Sequence, residues 1–141
     1  MKLRRKIFAT CFLLPMAFSA NALAETISFA EAYDRLSKSC GSDIEKLCAN
    51  AELGGGEVRA CLNKNQARVS AGCKATSAEV FASLERRINA QRIAAKVCER
   101  DIGRFCRGVQ PHDGYQLQCL LTASKVISVD CQEIITDAGW R

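Results

Sequence analysis

An all-α fold is expected, built as two disulfide-stapled helical hairpin repeats joined by a long helix. Three observations predict it. Cys40, Cys48, Cys61 and Cys73 follow the spacing C-x7-C-x12-C-x11-C, and Cys98, Cys106, Cys119 and Cys131 repeat it without insertion 58 residues later (98 − 40 = 58). Residues 75–100 contain neither Gly nor Pro. Apolar residues recur at three- and four-residue intervals, and alternating strand patterns of useful length are absent.

The first element is an export signal over residues 1–24. Lys2, Arg4, Arg5 and Lys6 make a basic start, Ile7 to Ala20 an apolar run, and Ala22-Leu23-Ala24 a small-x-small cleavage site before Glu25. The run is shorter than the roughly 20 residues a membrane span requires. Cys11 lies inside the run rather than at the cleavage point, which argues against a lipoprotein. Export places the mature chain in the periplasm or outside the cell, where disulfides persist.

Cleavage changes the arithmetic. Of nine cysteines eight remain, since Cys11 leaves with the signal. Four of the 20 Lys and Arg leave and none of the 15 Asp and Glu do, so the net charge falls from +5 to 16 − 15 = +1. A nucleic-acid partner wants a strongly basic face, and the mature chain does not offer that charge.

Residues 25–74 are read as the first repeat with a leading helix. Ser28-Phe29-Ala30-Glu31 has the capping-box form S-x-x-E, ahead of Phe29, Ala32, Tyr33 and Leu36 at helical spacing. Val58, Cys61 and Leu62 continue the pattern after the break at Leu53-Gly54-Gly55-Gly56. Ser70 stands where an N-cap would start a further short helix. Residues 75–97 are read as the connecting helix, with Phe81, Leu84, Ile88 and Ala95 near one face. Residues 98–141 form the second repeat: its break is Pro111-His112-Asp113-Gly114, and Gln116, Cys119 and Leu120 and then Ser128 mirror the first. Aligning 40–73 with 98–131 gives nine identities: the four cysteines, Asp43 with Asp101, Ile44 with Ile102, Gly56 with Gly114, Leu62 with Leu120 and Ser70 with Ser128.

Helical geometry restricts the disulfides. Residues eight apart in a helix lie about 12 Å apart along its axis, whereas a disulfide needs Cα atoms within roughly 7 Å. Cys40 therefore does not bond Cys48. A short loop makes neighbouring helices antiparallel and favours nested bonds, Cys48–Cys61 inside Cys40–Cys73 and Cys106–Cys119 inside Cys98–Cys131. Nesting also requires the break at Ser70, because Cys61 and Cys73 lie farther apart in sequence than Cys40 and Cys48. Crossed bonds and bonds between repeats stay open at this point. Each bond contributes about 2–4 kcal/mol by restricting the unfolded chain, which a half-chain with so small a core needs. Leu47, Leu62, Val69, Phe81, Leu84, Phe105, Leu120 and Ile127 are the expected filling.

The pattern C-x2-D-I-x2-(L/F)-C, then C-L, then (V/I)-S-x2-C, resembles the cysteine-rich repeat of the Golgi apparatus sialoglycoprotein family, shared by short exported bacterial proteins. The resemblance covers 40–73 and 98–131. It implies a protein-interaction module rather than an enzyme, and it supplies no catalytic residue. Two repeats without a membrane anchor take growth-factor or selectin binding out of the expectation.

The chemical alternatives fit the residues less well. Structural zinc favours close pairs such as C-x2-C, but the shortest cysteine interval here is x7, and His112, the only histidine, faces Gly54 in the alignment. No metal or other cofactor is expected, and His112 is read as a surface loop residue. Thiol–disulfide enzymes use C-x-x-C, which is absent. A Ser-His-Asp triad would rest on His112 alone. Asp43 and Asp101 suggest a two-carboxylate glycosidase, but duplication explains them, with each capping a helix start or pairing with Lys46 or Arg104. Glu85-Arg86-Arg87, with Arg92 and Lys96, reads as the solvated side of a helix or as a docking surface. Trp140 either packs on the second repeat or frays at the end. The expected role is thus a non-catalytic periplasmic or secreted module with an unidentified protein partner. The alternatives are a small lipid- or ligand-binding protein, saposin-like in architecture only, or an envelope enzyme.

Overall fold

The computed structural model describes residues 25–52, 54–112 and 114–141. The export signal expected over 1–24 lies outside the described residues. Six helices follow in order, with no strand among the described residues: α1 (Phe29–Leu47), α2 (Glu57–Lys64), α3 (Ala71–Val97), α4 (Glu99–Phe105), α5 (Tyr115–Thr122) and α6 (Val129–Asp137).

The 58-residue ruler carries through to the helix ends. α2 becomes α5 (57 + 58 = 115, 64 + 58 = 122), α3 and α6 start one ruler apart (71 + 58 = 129), and α1 and α4 end one ruler apart (47 + 58 = 105). The reasons are local and duplicated. α2 and α5 start at Gly56 and Gly114, whose φ angles of 85° and 76° are left-handed, a conformation that costs other residues a Cβ clash. α3 and α6 start at Ser70 and Ser128, each hydroxyl accepting from the backbone N–H three residues on, Cys73 or Cys131, at 3.2 Å. Ser28 caps α1 likewise, accepting from Glu31 N–H at 3.0 Å. The Glu31 carboxylate pairs with Arg35 one turn further along.

The four disulfides occupy the nested pairs: Cys40–Cys73 and Cys98–Cys131, each closing 33 residues, and Cys48–Cys61 and Cys106–Cys119, each closing 13. Cα separations of 4.7–6.0 Å suit the bond. Each repeat keeps its own core. Cys40, Cys48, Val58, Leu62, Val69 and Cys73 make the first. Cys98, Cys106, Leu120, Ile127, Cys131 and Ile135 make the second.

Two expectations need correction. Ser70 does not start a separate short helix; it caps α3 itself, which runs unbroken for 27 residues. The third helix of repeat 1 and the connecting helix are one, because nothing between Ala71 and Val97 interrupts it. Only at Cys98, the C-cap of α3 and N-cap of α4, does a one-residue interruption occur. The face named for α3 also differs. Its deeply buried residues are Cys73, Val80, Ala90 and Ala94, whereas Ile88 is exposed. Alanines let α1 and α6 approach α3 closely, so the large residues beside them are left at the margin.

No disulfide joins one repeat to the other. Residues 26 and 27 and the C-terminal tail meet instead at the middle of α3. Thr26, buried, donates its hydroxyl to the Asp137 carbonyl at 2.6 Å. Ile27 N–H donates to Ser83 Oγ at 3.0 Å. The Arg87 guanidinium donates to the carbonyls of Ile27 and Gly139, each at 3.2 Å, and Gln91 donates to Ala138 O at 2.9 Å. Arg87 therefore belongs neither to a solvated face nor to a docking surface.

Candidate functional site

The aligned polar residues build a buckle in each repeat. Cys40 and Asp43 lie three apart on α1, as Ser70 and Cys73 do across the start of α3, so both pairs share a face. One Asp43 oxygen accepts from the Ser70 hydroxyl at 2.6 Å and from its backbone N–H at 3.2 Å, beside the Cys40–Cys73 bond. Asp101 holds Ser128 with both oxygens, one accepting from the hydroxyl at 2.6 Å and the other from the N–H at 3.1 Å, beside Cys98–Cys131. Each serine hydroxyl thus donates to the aspartate while accepting from its own helix. The hydrogen bond from the Ser70 hydroxyl holds the Asp43 carboxyl below its usual pKa; partial burial opposes it, and the Ser70 N–H, Lys46 and Lys74 add to it. Each acid thus reaches the start of a helix distant in sequence and is occupied in holding it. Ile44 and Ile102 pack against the cores, and Leu62 and Leu120 are buried within them. Among the described residues, no group of three or more His, Cys, Asp and Glu is placed to hold a metal ion.

An apolar groove on repeat 1, about 510 Å³ in volume, has room for a ligand. Its floor is Leu36, Ile44 and Val58, and one end is formed by Gly54–Gly56. Two walls face each other. α1 supplies Phe29 and Tyr33, one turn apart, and α3 supplies Leu84 and Ile88, also one turn apart. Phe29, Tyr33 and Ile88 are each more than half exposed. The rim is polar: Arg59 pairs with Glu85 at 3.3 Å and lies 5.4 Å from the centre of the Phe81 ring. The cation is thereby neutralised and stacked, and the groove keeps an apolar interior.

Repeat 2 has the same floor but not the same walls. Ala94, Ile102, Gly114 and Gln116 stand one ruler from Leu36, Ile44, Gly56 and Val58, and they line a hollow of only about 180 Å³. Trp140 lines it: Gly139, at φ 69°, turns the chain, and the Trp140 N–H returns to Ile135 O at 3.2 Å. Of the two expectations for Trp140, packing on the second repeat is the one found. The counterparts of Phe29 and Tyr33 are Arg87 and Gln91 (29 + 58, 33 + 58), which hold the carbonyls of the tail.

Phe29 and Tyr33 stand on the expected apolar face of the leading helix, and nothing in that local pattern marks them as exposed. The signal lay in extending the alignment upstream of Cys40, where two aromatics face an Arg and a Gln.

No curated protein and no solved structure matches this chain. A family match covers 32–69, which takes in most of α1 and all of α2 and ends before Ser70 and Cys73. That segment is similar to the family described as Cysteine rich repeat.

Proposed function

We propose that the protein is a non-catalytic, exported interaction module whose contact surface is the repeat 1 groove, and that its occupant is an amphipathic helix of a protein partner. The observation that carries this reading is the pair of facing apolar ladders, Phe29 and Tyr33 opposite Leu84 and Ile88. Residues one turn apart on two helices match the i, i+4 anchors that a third helix lays into such a trough. Exposed aromatics rimmed by a charged pair are the kind of patch that marks association. The four disulfides support export, because such bonds persist in oxidising compartments. The described residues contain no helix long and apolar enough to cross a membrane.

A photo-crosslinking residue at Tyr33, with a second at the exposed Val126 as control, tests the reading in envelope extract. The expected product at Tyr33 is one protein adduct, mapped to an apolar helical segment and lost when Ile88→Asp is added. Adducts of phospholipid at Tyr33 that survive high salt would replace the protein partner by a lipid. Equal labelling at Tyr33 and Val126 would exclude the groove as the contact surface.

A further inference from the structure

We infer that the helix laid into the repeat 1 groove is α1 of a second copy of this chain, so that two copies close a four-helix bundle across a two-fold axis. The inference rests on the groove being the contact surface, and it names the occupant. α1 and α3 run antiparallel there. The Cys40–Cys73 bond joins them at one end, and Ile27 N–H reaches Ser83 at the other. Along α1 the groove residues Phe29, Tyr33 and Leu36 follow at steps of four and three. Along α3 Phe81, Leu84 and Ile88 follow at steps of three and four. That alternation is the seam by which helices pack into bundles. An antiparallel pair with such a seam uncovered is half of a four-helix bundle.

Shape, charge and the contrast between repeats favour a second copy as the other half. One face carries both a ridge, Phe29 and Tyr33, each more than half exposed, and beside it a trough floored by Leu36. A two-fold axis lays each ridge in the other copy's trough, as an interface between identical surfaces requires. The charged residues of the groove, Arg59 and Glu85, pair with each other at 3.3 Å. On the helix to be exchanged, Arg35 pairs with Glu31 and Lys38 with Asp34. A surface of one sign would repel its own copy and select an oppositely charged partner; this neutral face approaches itself without that repulsion. Repeat 2 has no equivalent ladder to offer, because Arg87 and Gln91 stand in those positions and hold the tail. Contact is therefore repeat 1 to repeat 1, which closes at two copies. The ladder is also set before contact: the Arg87 guanidinium carbon lies 5.8 Å from the centre of the Phe29 ring, which lowers the ordering cost of association.

The test uses the oxidised protein purified alone, half of it labelled with heavy nitrogen. Sedimentation equilibrium should show a reversible dimer. A photo-crosslinking residue at Tyr33 should join light to heavy copies, with the adduct mapped to α1 or α3. Ile88→Asp, checked by mass for four disulfides and by circular dichroism for helix, should weaken the dimer by on the order of 30-fold, the scale of losing an interface anchor. Val126→Asp, at an exposed site outside the groove, should leave it unchanged. A monomer at every concentration, with Tyr33 adducts in envelope extract formed on another protein, would overturn the second copy and leave the groove reading intact. A monomer labelled equally at Tyr33 and Val126 in extract would remove both. A dimer that survives Ile88→Asp would place the contact elsewhere and overturn the inference.

Discussion

Repeat 1 and repeat 2 share a skeleton and differ in how the chain continues beyond it. Both hold a 33-residue and a 13-residue disulfide loop, a left-handed glycine before the second helix, and an aspartate bound to the N-cap serine of the third. In repeat 1 that third helix is α3, which runs on for 27 residues and supplies Leu84 and Ile88 as a groove wall. In repeat 2 it is α6, which stops at Asp137, and Trp140 lines the small hollow there. The comparison separates two kinds of position. Those that clamp helices together are kept in both copies, whereas those facing the space beyond the clamp differ with the segment that the chain places there.

Removing clamps gives the largest expected effect. Replacing Cys40 and Cys73 together by Ala should cost about 4 kcal/mol on loop entropy, and replacing Cys48 and Cys61 about 3 kcal/mol. The matching pairs in repeat 2 should behave alike in urea titrations. A pair whose loss differs between repeats by more than about 2 kcal/mol would break the equivalence of the skeletons, since chain entropy depends only on loop length.

The buckle comes next. Asp101 is buried and holds both the N–H and the hydroxyl of Ser128. Asp101→Asn should therefore cost about 1–3 kcal/mol, through lost charge-assisted bonds. Asp43 is more exposed, so Asp43→Asn should cost less. Its effect should also depend on pH. Because its folded pKa is lowered, its contribution is fully present above the unfolded value of about 3.9 and is lost as pH falls through the folded value. Urea midpoints of wild type and Asp43→Asn should converge below about pH 4. A constant gap down to pH 2 would show that the carboxylate charge does not drive the bond.

Glycine substitutions sharpen the contrast at a smaller scale. Gly56→Ala and Gly114→Ala meet open space but keep positive φ, so each should cost about 1–2 kcal/mol, equally in the two repeats. Gly139→Ala has no such partner: its aligned position is Phe81 (139 − 58), inside α3. Calorimetry should place it below both, because steric conflict with Arg87 adds to the backbone cost. The smallest effect on stability is expected at the groove itself. Tyr33→Ser should change stability by less than about 0.5 kcal/mol, as surface substitutions do. A large loss of stability would mean that Tyr33 belongs to the core.

Much of the skeleton was legible because its determinants are local. The spacing of Cys40 and Asp43 puts both on one helical face, and Ser70 and Cys73 stand in register across a helix start. Helical geometry then leaves nested pairing as the simplest solution. Solvent exposure was not legible in the same way. Phe81, Leu84 and Ile88 share a face of α3, and periodicity identifies a face without saying which element covers it. Ile88 is exposed because it lies on the groove side of α3, away from the face that buries Ala90 and Ala94.

By itself the sequence determined the helical class, the duplicated cysteine ruler and the capping serines, and it favoured nested bonds, since these depend on spacing and on local side chains. Tertiary structure alone decided that Arg87 would hold Ile27 and the C-terminal tail together, and that repeat 1 would carry a large apolar groove where repeat 2 has a small hollow. Those outcomes depend on contacts between segments up to 111 residues apart. No local pattern encodes such a contact, because which surfaces meet is settled only when the helices pack.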